Sequence, residues 1–275
     1  MGVVLALAAA LGYGLSDFVG GIAARRTSAW PVAFMCAVGA ITFTVLIAVA
    51  TEGRATGVDL AWGALAGIGS GLGGVFLYRG LAAGRMGVVA PVSAVGAAIL
   101  PVVVGVATGE RPALLVWLGI AAAIPGIWLV SREPGEGSAA AGVLDGILAG
   151  VGFGLLFAAI GQVPAGAGYW PLALAQVTGL LAVVGAATAL GVQWRPTERS
   201  EVVGGLLAGV LASAAALCFL LSTQSGLLTV AAVLASLYPA FTILLAATVL
   251  RERIHGTQAL GLAFCGLCVV LVAAG

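Results

Sequence analysis

Lysine is absent from these 275 residues; all eleven basic side chains are arginines. Charge of either sign is scarce, at 8% of the chain. A soluble domain carries roughly 25% charged residues, so this chain cannot cover a water-facing surface. The formal net charge is +1, which leaves no basic stripe for nucleic acid. Histidine occurs once, as His255, in a short connection where it reads as a solvated loop residue. There is no HExxH, and Gly67-Ile-Gly-Ser-Gly only resembles a GxSxG elbow, so an intramembrane hydrolase finds little support. A GxxxxGK-S/T loop is missing too, which excludes an ATP-driven engine in this chain. The start, Met-Gly-Val-Val, lacks the basic region and cleavage site of a secretory signal. The four cysteines, Cys36, Cys218, Cys265 and Cys268, all lie in apolar runs. The last two form a CxxC without a His or carboxylate nearby and read as small packing residues. No cofactor and no metal site are expected.

What is present is length in apolar runs. Hydrophobic residues make up 62% of the chain and glycine contributes 43 positions. A bilayer-spanning helix needs about 20 mostly apolar residues. Ten runs qualify: Val3–Ala24, Trp30–Ala50, Leu60–Leu81, Val88–Thr108, Pro112–Val130, Gly142–Gly161, Trp170–Gly191, Val202–Leu221, Leu228–Leu250 and Thr257–Ala274. They are apolar all round, without the alternation of a membrane β-barrel, so helices are required to satisfy their backbone groups in lipid. Gly63, Gly67 and Gly71, like Gly146, Gly150 and Gly154, recur every fourth residue, a spacing that lets helices approach closely.

The longest polar break, around Ser131–Ser138, divides the spans five and five. Sliding the second half onto the first so that Glu252-Arg253 falls on Glu110-Arg111 also lays Val230 on Val88, Ala232 on Ala90, Leu260 on Leu118 and Gly261 on Gly119. Gly12-Tyr13-Gly14 resembles Gly152-Phe153-Gly154. The expected organisation is a repeat over 1–130, a linker over 131–140 and a second repeat over 141–275. An odd number of spans per repeat inverts the second copy, as is typical of secondary transporters. Nine arginines (25, 26, 79, 85, 132, 195, 199, 251 and 253) fall on one side and two, Arg54 and Arg111, on the other. The positive-inside rule then places the first side in the cytoplasm and both termini outside. A bacterial inner membrane is the expected location.

The stretch from Leu228-Thr-Val-Ala-Ala-Val-Leu-Ala-Ser-Leu-Tyr-Pro-Ala-Phe-Thr through Leu250-Arg-Glu-Arg to Gly261 resembles the EamA-type domain of the drug/metabolite transporter superfamily. The first half, from Tyr13-Gly-Leu-Ser-Asp-Phe-Val-Gly-Gly to Gly109-Glu-Arg and Gly119, resembles a second copy. The resemblance implies an all-α transmembrane fold of ten helices, two inverted five-helix repeats around a central cavity, and transport of small metabolites, often by export. Well-known ten-helix members keep both termini in the cytoplasm; the arginines here place them outside.

Asp17 is the most informative residue. A carboxylate inside a span costs roughly 2.5–3.5 kcal/mol on insertion scales, so it is expected to face the bundle interior. It is a candidate proton carrier, by analogy with the first-helix carboxylate of the small multidrug resistance proteins. A structural pair with an arginine near the inner end of the first span explains it equally well. Arg79 is read as snorkelling to the interface, or as an anchor for a substrate carboxylate. Asp145 suits the dipole at the start of the sixth span. Glu110-Arg111 and Glu252-Arg253 read as exposed ion pairs of little energetic worth. Tyr13, Tyr78, Phe153 and Tyr238, with Ser93, Gln176, Ser213 and Gln224, would line a cavity with polar groups on an apolar wall; interhelical bonding or interfacial anchoring accounts for each as well. Pro91, Pro101, Pro125 and Pro239 interrupt helices and read as hinges or packing kinks.

These features point to a secondary transporter of a small neutral, zwitterionic or amphipathic metabolite, with protons as the candidate coupling ion. A passive pore or gated channel is the alternative, and an intramembrane enzyme a weaker one. The expected partners are the substrate and the lipid bilayer. A monomer suffices, and a dimer stays open.

Overall fold

The apolar runs are helices. The computed structural model describes residues 1–24, 28–82, 86–131, 139–251 and 253–275; the side chains of 78, 80–82, 86–88, 91 and 139–142 lie outside that description. Outside it too fall Arg25, Arg26, Arg85, Arg132 and Glu252, and most of the linker. The helices are α1 (Gly2–Ala24), α2 (Ala29–Ala50), α3 (Gly57–Ala82), α4 (Met86–Ala107), α5 (Leu114–Ser131), α6 (Ala139–Ile160), α7 (Trp170–Ala189), α8 (Arg199–Ser225), α9 (Leu228–Ala235), α10 (Tyr238–Val249) and α11 (Gly256–Ala274). Among the described residues nine stretches are long and apolar enough to cross a membrane, with Val92–Ala107 of α4 a shorter apolar helix. Helices α9 and α10 together make the ninth span.

That ninth span departs from the expected single helix. Pro239 has no N–H to offer the Ala235 carbonyl. The turn tightens instead, with Leu237 N donating to Leu234 O at 3.2 Å and Ala240 N to Leu237 O at 2.9 Å. Pro91, Pro101 and Pro125 lie within unbroken helices, so only Pro239 interrupts one.

Short polar residues fix the helix ends. At the start of α3, Thr56 and Asp59 form a capping box: Thr56 N and Oγ1 donate to Asp59 Oδ2 at 2.8 and 2.7 Å, and Asp59 N donates to Thr56 Oγ1 at 3.3 Å. At the start of α8, Glu201 accepts from Thr197 N at 2.7 Å and Glu198 N at 3.0 Å. Both carboxylates are buried, and the register that matches Glu252 to Glu110 also matches Glu201 to Asp59. Helix α4 ends in a Schellman turn: Gly109 has φ 107°, its N bonds Val106 O, and Glu110 N bonds Gly105 O at 2.9 Å. The matching position in the second half, Arg251 after α10, also has a positive φ, of 57°. His255, expected to be a solvated loop residue, is the exposed N-cap of α11, its N donating to Gln258 Oε1 at 3.0 Å.

The packing shows the same correspondence. Helix α1 lies on α8 and α6 on α3; α2 lies on α8 and α7 on α3; α4 packs on α6, and α9 with α10 on α1. A Cβ on Gly63 or Gly67 would run into the α7 backbone at Pro171 or Ala175. On their counterparts in the same register, Gly205 and Gly209, it would meet α2 at Val32 to Ala40. With α9 grouped by its continuity with α10, two groups result, α1–α2–α8–α9–α10 and α3–α4–α6–α7, and α9 touches α4 as well as α1. Helices α5 and α11 pack on each other through Gly126 and Cys265, and Gly119 and Cys268. One apolar core lies under α5 and α11 and the other between the two groups.

Candidate functional site

Between the groups, aromatic rings from four helices meet. Tyr13 of α1 sits edge-on to Phe157 of α6, centroids 5.8 Å apart, and to Tyr238 of α10 at 6.4 Å. Phe157 continues to Phe219 of α8 at 4.7 Å. Tyr13 lies halfway along α1, so this layer crosses the middle of the bundle. Small residues bring the rings together: Gly12 packs on Ala215 of α8, and Gly14 on Tyr238 and Phe241 of α10.

Asp17 stands one turn beyond Tyr13 on the same face of α1. It is exposed, and it lies close enough to Tyr13, Cys36 and Tyr238 for its charge to act on each. Ser16 beside it is turned away, donating to Ala208 O of α8 at 2.8 Å. No ion pair joins Asp17 to a described residue; the ion pair found among those residues is Arg79 with Asp145. The carboxylate is thus solvent- or lipid-accessible without a described ionic partner, seven residues or about 10 Å from the α1 C-terminus.

The sequence-predicted residues divide. Tyr13, Asp17 and Tyr238 come together. Phe153 packs on Gly73, at the contact of α6 with α3. Ser93 is buried, its hydroxyl donating to Ala90 O of its own helix at 2.9 Å. Ser213 is fully buried, and its hydroxyl has no hydrogen-bond partner among the described residues. Gln176 is half-buried on α7. Gln224 reaches across the far end of the bundle to Val163 O at 3.3 Å. The side chain of Tyr78 lies outside the described residues.

Arg79 is engaged by protein. Its Nε and Nη2 both donate to Asp145 Oδ1, at 2.8 and 2.5 Å, and its guanidinium lies 4.9 Å from the Phe76 ring centre. Asp145 is the seventh residue of α6 rather than part of its first turn, so the Arg79 pair, not the helix dipole, accounts for it. Phe157 and Phe219 went unread in the sequence. Phe157 follows Phe153 by four residues, a same-face spacing that was the available signal.

Glu110 is a further correction. Its carboxylate does not pair with Arg111. It accepts from Leu228 N at 2.5 Å, from Thr229 N at 2.9 Å and from the Thr229 hydroxyl, all at the start of α9. Arg111 Nη1 donates instead to Glu110 O at 2.9 Å and more weakly to Val106 O, covering the end of α4. A cavity of about 400 Å³ opens at this end beside Arg111, Ser222, Leu227, Val230 and Val272. It contains none of the sequence-predicted site residues.

The profile of the EamA-like transporter family matches residues 140–274. No curated protein matches the chain. A solved structure titled only "Crystal structure of protein" shares the fold at a TM-score of 0.74, covering 99% of this chain and 98% of that one at 15% identity.

Proposed function

Through residues 140–274 this chain belongs to the EamA-like transporter family and is a multi-pass membrane transporter of the drug/metabolite type, and we propose that it works by alternating access with Asp17 at its open side. The family is one of transporters rather than enzymes. The observation that carries the proposal is the placement of Asp17: exposed, inside a membrane helix, one turn from an aromatic layer contributed by both halves of the chain.

The caps, glycine contacts and helix pairings that match between the halves support two inverted copies of one five-helix unit. In such a pair, two rigid groups exchange an opening at one end for an opening at the other. The aromatic layer separates the Asp17 side from the Glu110 end. A substrate entering from the Asp17 side meets a carboxylate and ring faces, which suits a small neutral, zwitterionic or amphipathic metabolite. Asp17 is the coupling group, carrying a proton in one orientation and releasing it in the other. By the arginine distribution its side is cytoplasmic, so loading there leads to export. A permanently open pore fits less well, because at the Glu110 end the carboxylate ties α4 to the start of α9.

The test is a thermal-shift screen of the detergent-purified protein against metabolites at pH 6 and pH 8, with wild type and Asp17→Asn. A ligand at about 100 times its Kd adds roughly 2.7 kcal/mol of stability. Ligand affinity that depends on pH in wild type but not in Asp17→Asn supports coupling through Asp17. The same pH dependence in both removes Asp17 from the coupling step.

A further inference from the structure

We propose that Glu110 is the latch that holds this transporter closed at one end, and that its release is a required step of the transport cycle. The inference rests on the alternating-access reading and adds to it a residue assigned to no role in transport so far.

Glu110 follows α4, in the group α3–α4–α6–α7, and grips the start of α9, in the group α1–α2–α8–α9–α10. Its two oxygens take both leading N–H groups of α9 and the Thr229 hydroxyl. These N–H groups have no partner within their own helix, and a carboxylate there also complements the positive end of the helix dipole. The grip is built from both sides. The Schellman turn at Gly109 aims the side chain. Gly105 leaves room for it: a Cβ there would collide with the carboxylate and the Thr229 hydroxyl. Thr229 is fully buried.

One further bond crosses between the groups at the same end, Gln224 Nε2 to Val163 O at 3.3 Å. Burial favours the same end. In α9 seven of eight residues are buried, Leu228, Thr229 and Ala231–Ala235, whereas in α10 only Ala240 is. Bonds between the groups and burial of the ninth span thus gather at the Glu110 end. Opening that end requires the α9 N-terminus to leave the carboxylate. An ordinary N-cap joins residues a few positions apart; this one joins residues 118 and 119 positions apart, on elements that must separate.

The experiment reads conformation rather than transport. Val163→Cys, nearly isosteric, places a thiol at a buried site of the Glu110 end. Native Cys36, half-buried near Asp17, reports the other end. Maleimide labelling of both in detergent-purified protein is followed by site-resolved mass spectrometry. Adding Glu110→Gln should raise labelling at position 163 by about fivefold, within the range expected for a lost charged cap, and lower it at Cys36. Thr229→Val, milder, should move both in the same directions. A fall in melting temperature with both rates unchanged would make Glu110 a stabilising cap only, and a rise at both sites would mean local unfolding; either result overturns the latch. An inverse shift without detectable transport by wild type would leave the latch standing and remove the transporter reading.

Discussion

Arg251 holds a left-handed backbone angle that an L side chain enters at a cost of about 1–2 kcal/mol. Its counterpart in the first half is Gly109, which adopts a positive φ without that penalty. Arg251→Gly should therefore raise stability by about 1 kcal/mol, read as a higher melting temperature in detergent; an unchanged or lower value would show that the arginine side chain compensates. Gly105→Ala should do the reverse, since its Cβ has nowhere to go except into the Glu110 carboxylate. Asp17 stood out in the sequence because a carboxylate in an apolar run has no bland neighbour to hide among. Glu110 did not, because the groups it binds lie in the other half of the chain and local sequence shows only an arginine beside it. Arg79 was misread for the same reason: Asp145 is 66 positions distant. The spacing of Phe157 from Phe153 was a weak signal, because an aromatic in an apolar span looks the same whether it faces lipid or a neighbouring ring.

At the level of the helix, glycine decides which faces meet. Gly67 and Gly209 lie against the backbones of α7 and α2. Replacing either by leucine should cost at least the roughly 1–3 kcal/mol of an overpacked core, measured as lost thermal stability. Gly21 meets nothing within 4 Å. Gly21→Ala should be neutral or slightly stabilising, because alanine favours helix over glycine by about 1 kcal/mol. A stability loss at Gly21 as large as at Gly67 would show that helix contact is not what sets the cost. The ten spans were readable because lipid imposes one length and one composition on each. The break between α9 and α10 was only hinted at, since Pro101 and Pro125 stand in helices that continue through them.

Across the whole molecule, the aromatic layer is where the two helix groups touch at mid-depth. Phe157→Ala should loosen that layer. If substrate binds against it, ligand affinity in the thermal-shift assay should drop at least tenfold while the labelling rates at positions 36 and 163 keep their ratio. A parallel change in that ratio would make Phe157 part of the gate instead. Orientation has its own check. Impermeant labelling of a cysteine placed at either terminus of intact cells should succeed if the nine-to-two arginine bias sets topology. Failure at both termini would invert the assignment of cytoplasmic and outer sides, with the geometry unchanged.

The helix pairings carry a consequence for synthesis. Helix α1 finds its main partners, α8 and α10, only after most of the chain has been made, and α6 returns to α3 and α4. Each half lends its first helix to the other. When the ribosome reaches the linker, the inserted first half has its opening helix unpaired and the Glu110 carboxylate facing an empty place. A gene cut within residues 131–140 should then yield two fragments that are each degraded when expressed alone and accumulate when expressed together. The finished protein is, in that sense, a heterodimer whose subunits share a peptide bond.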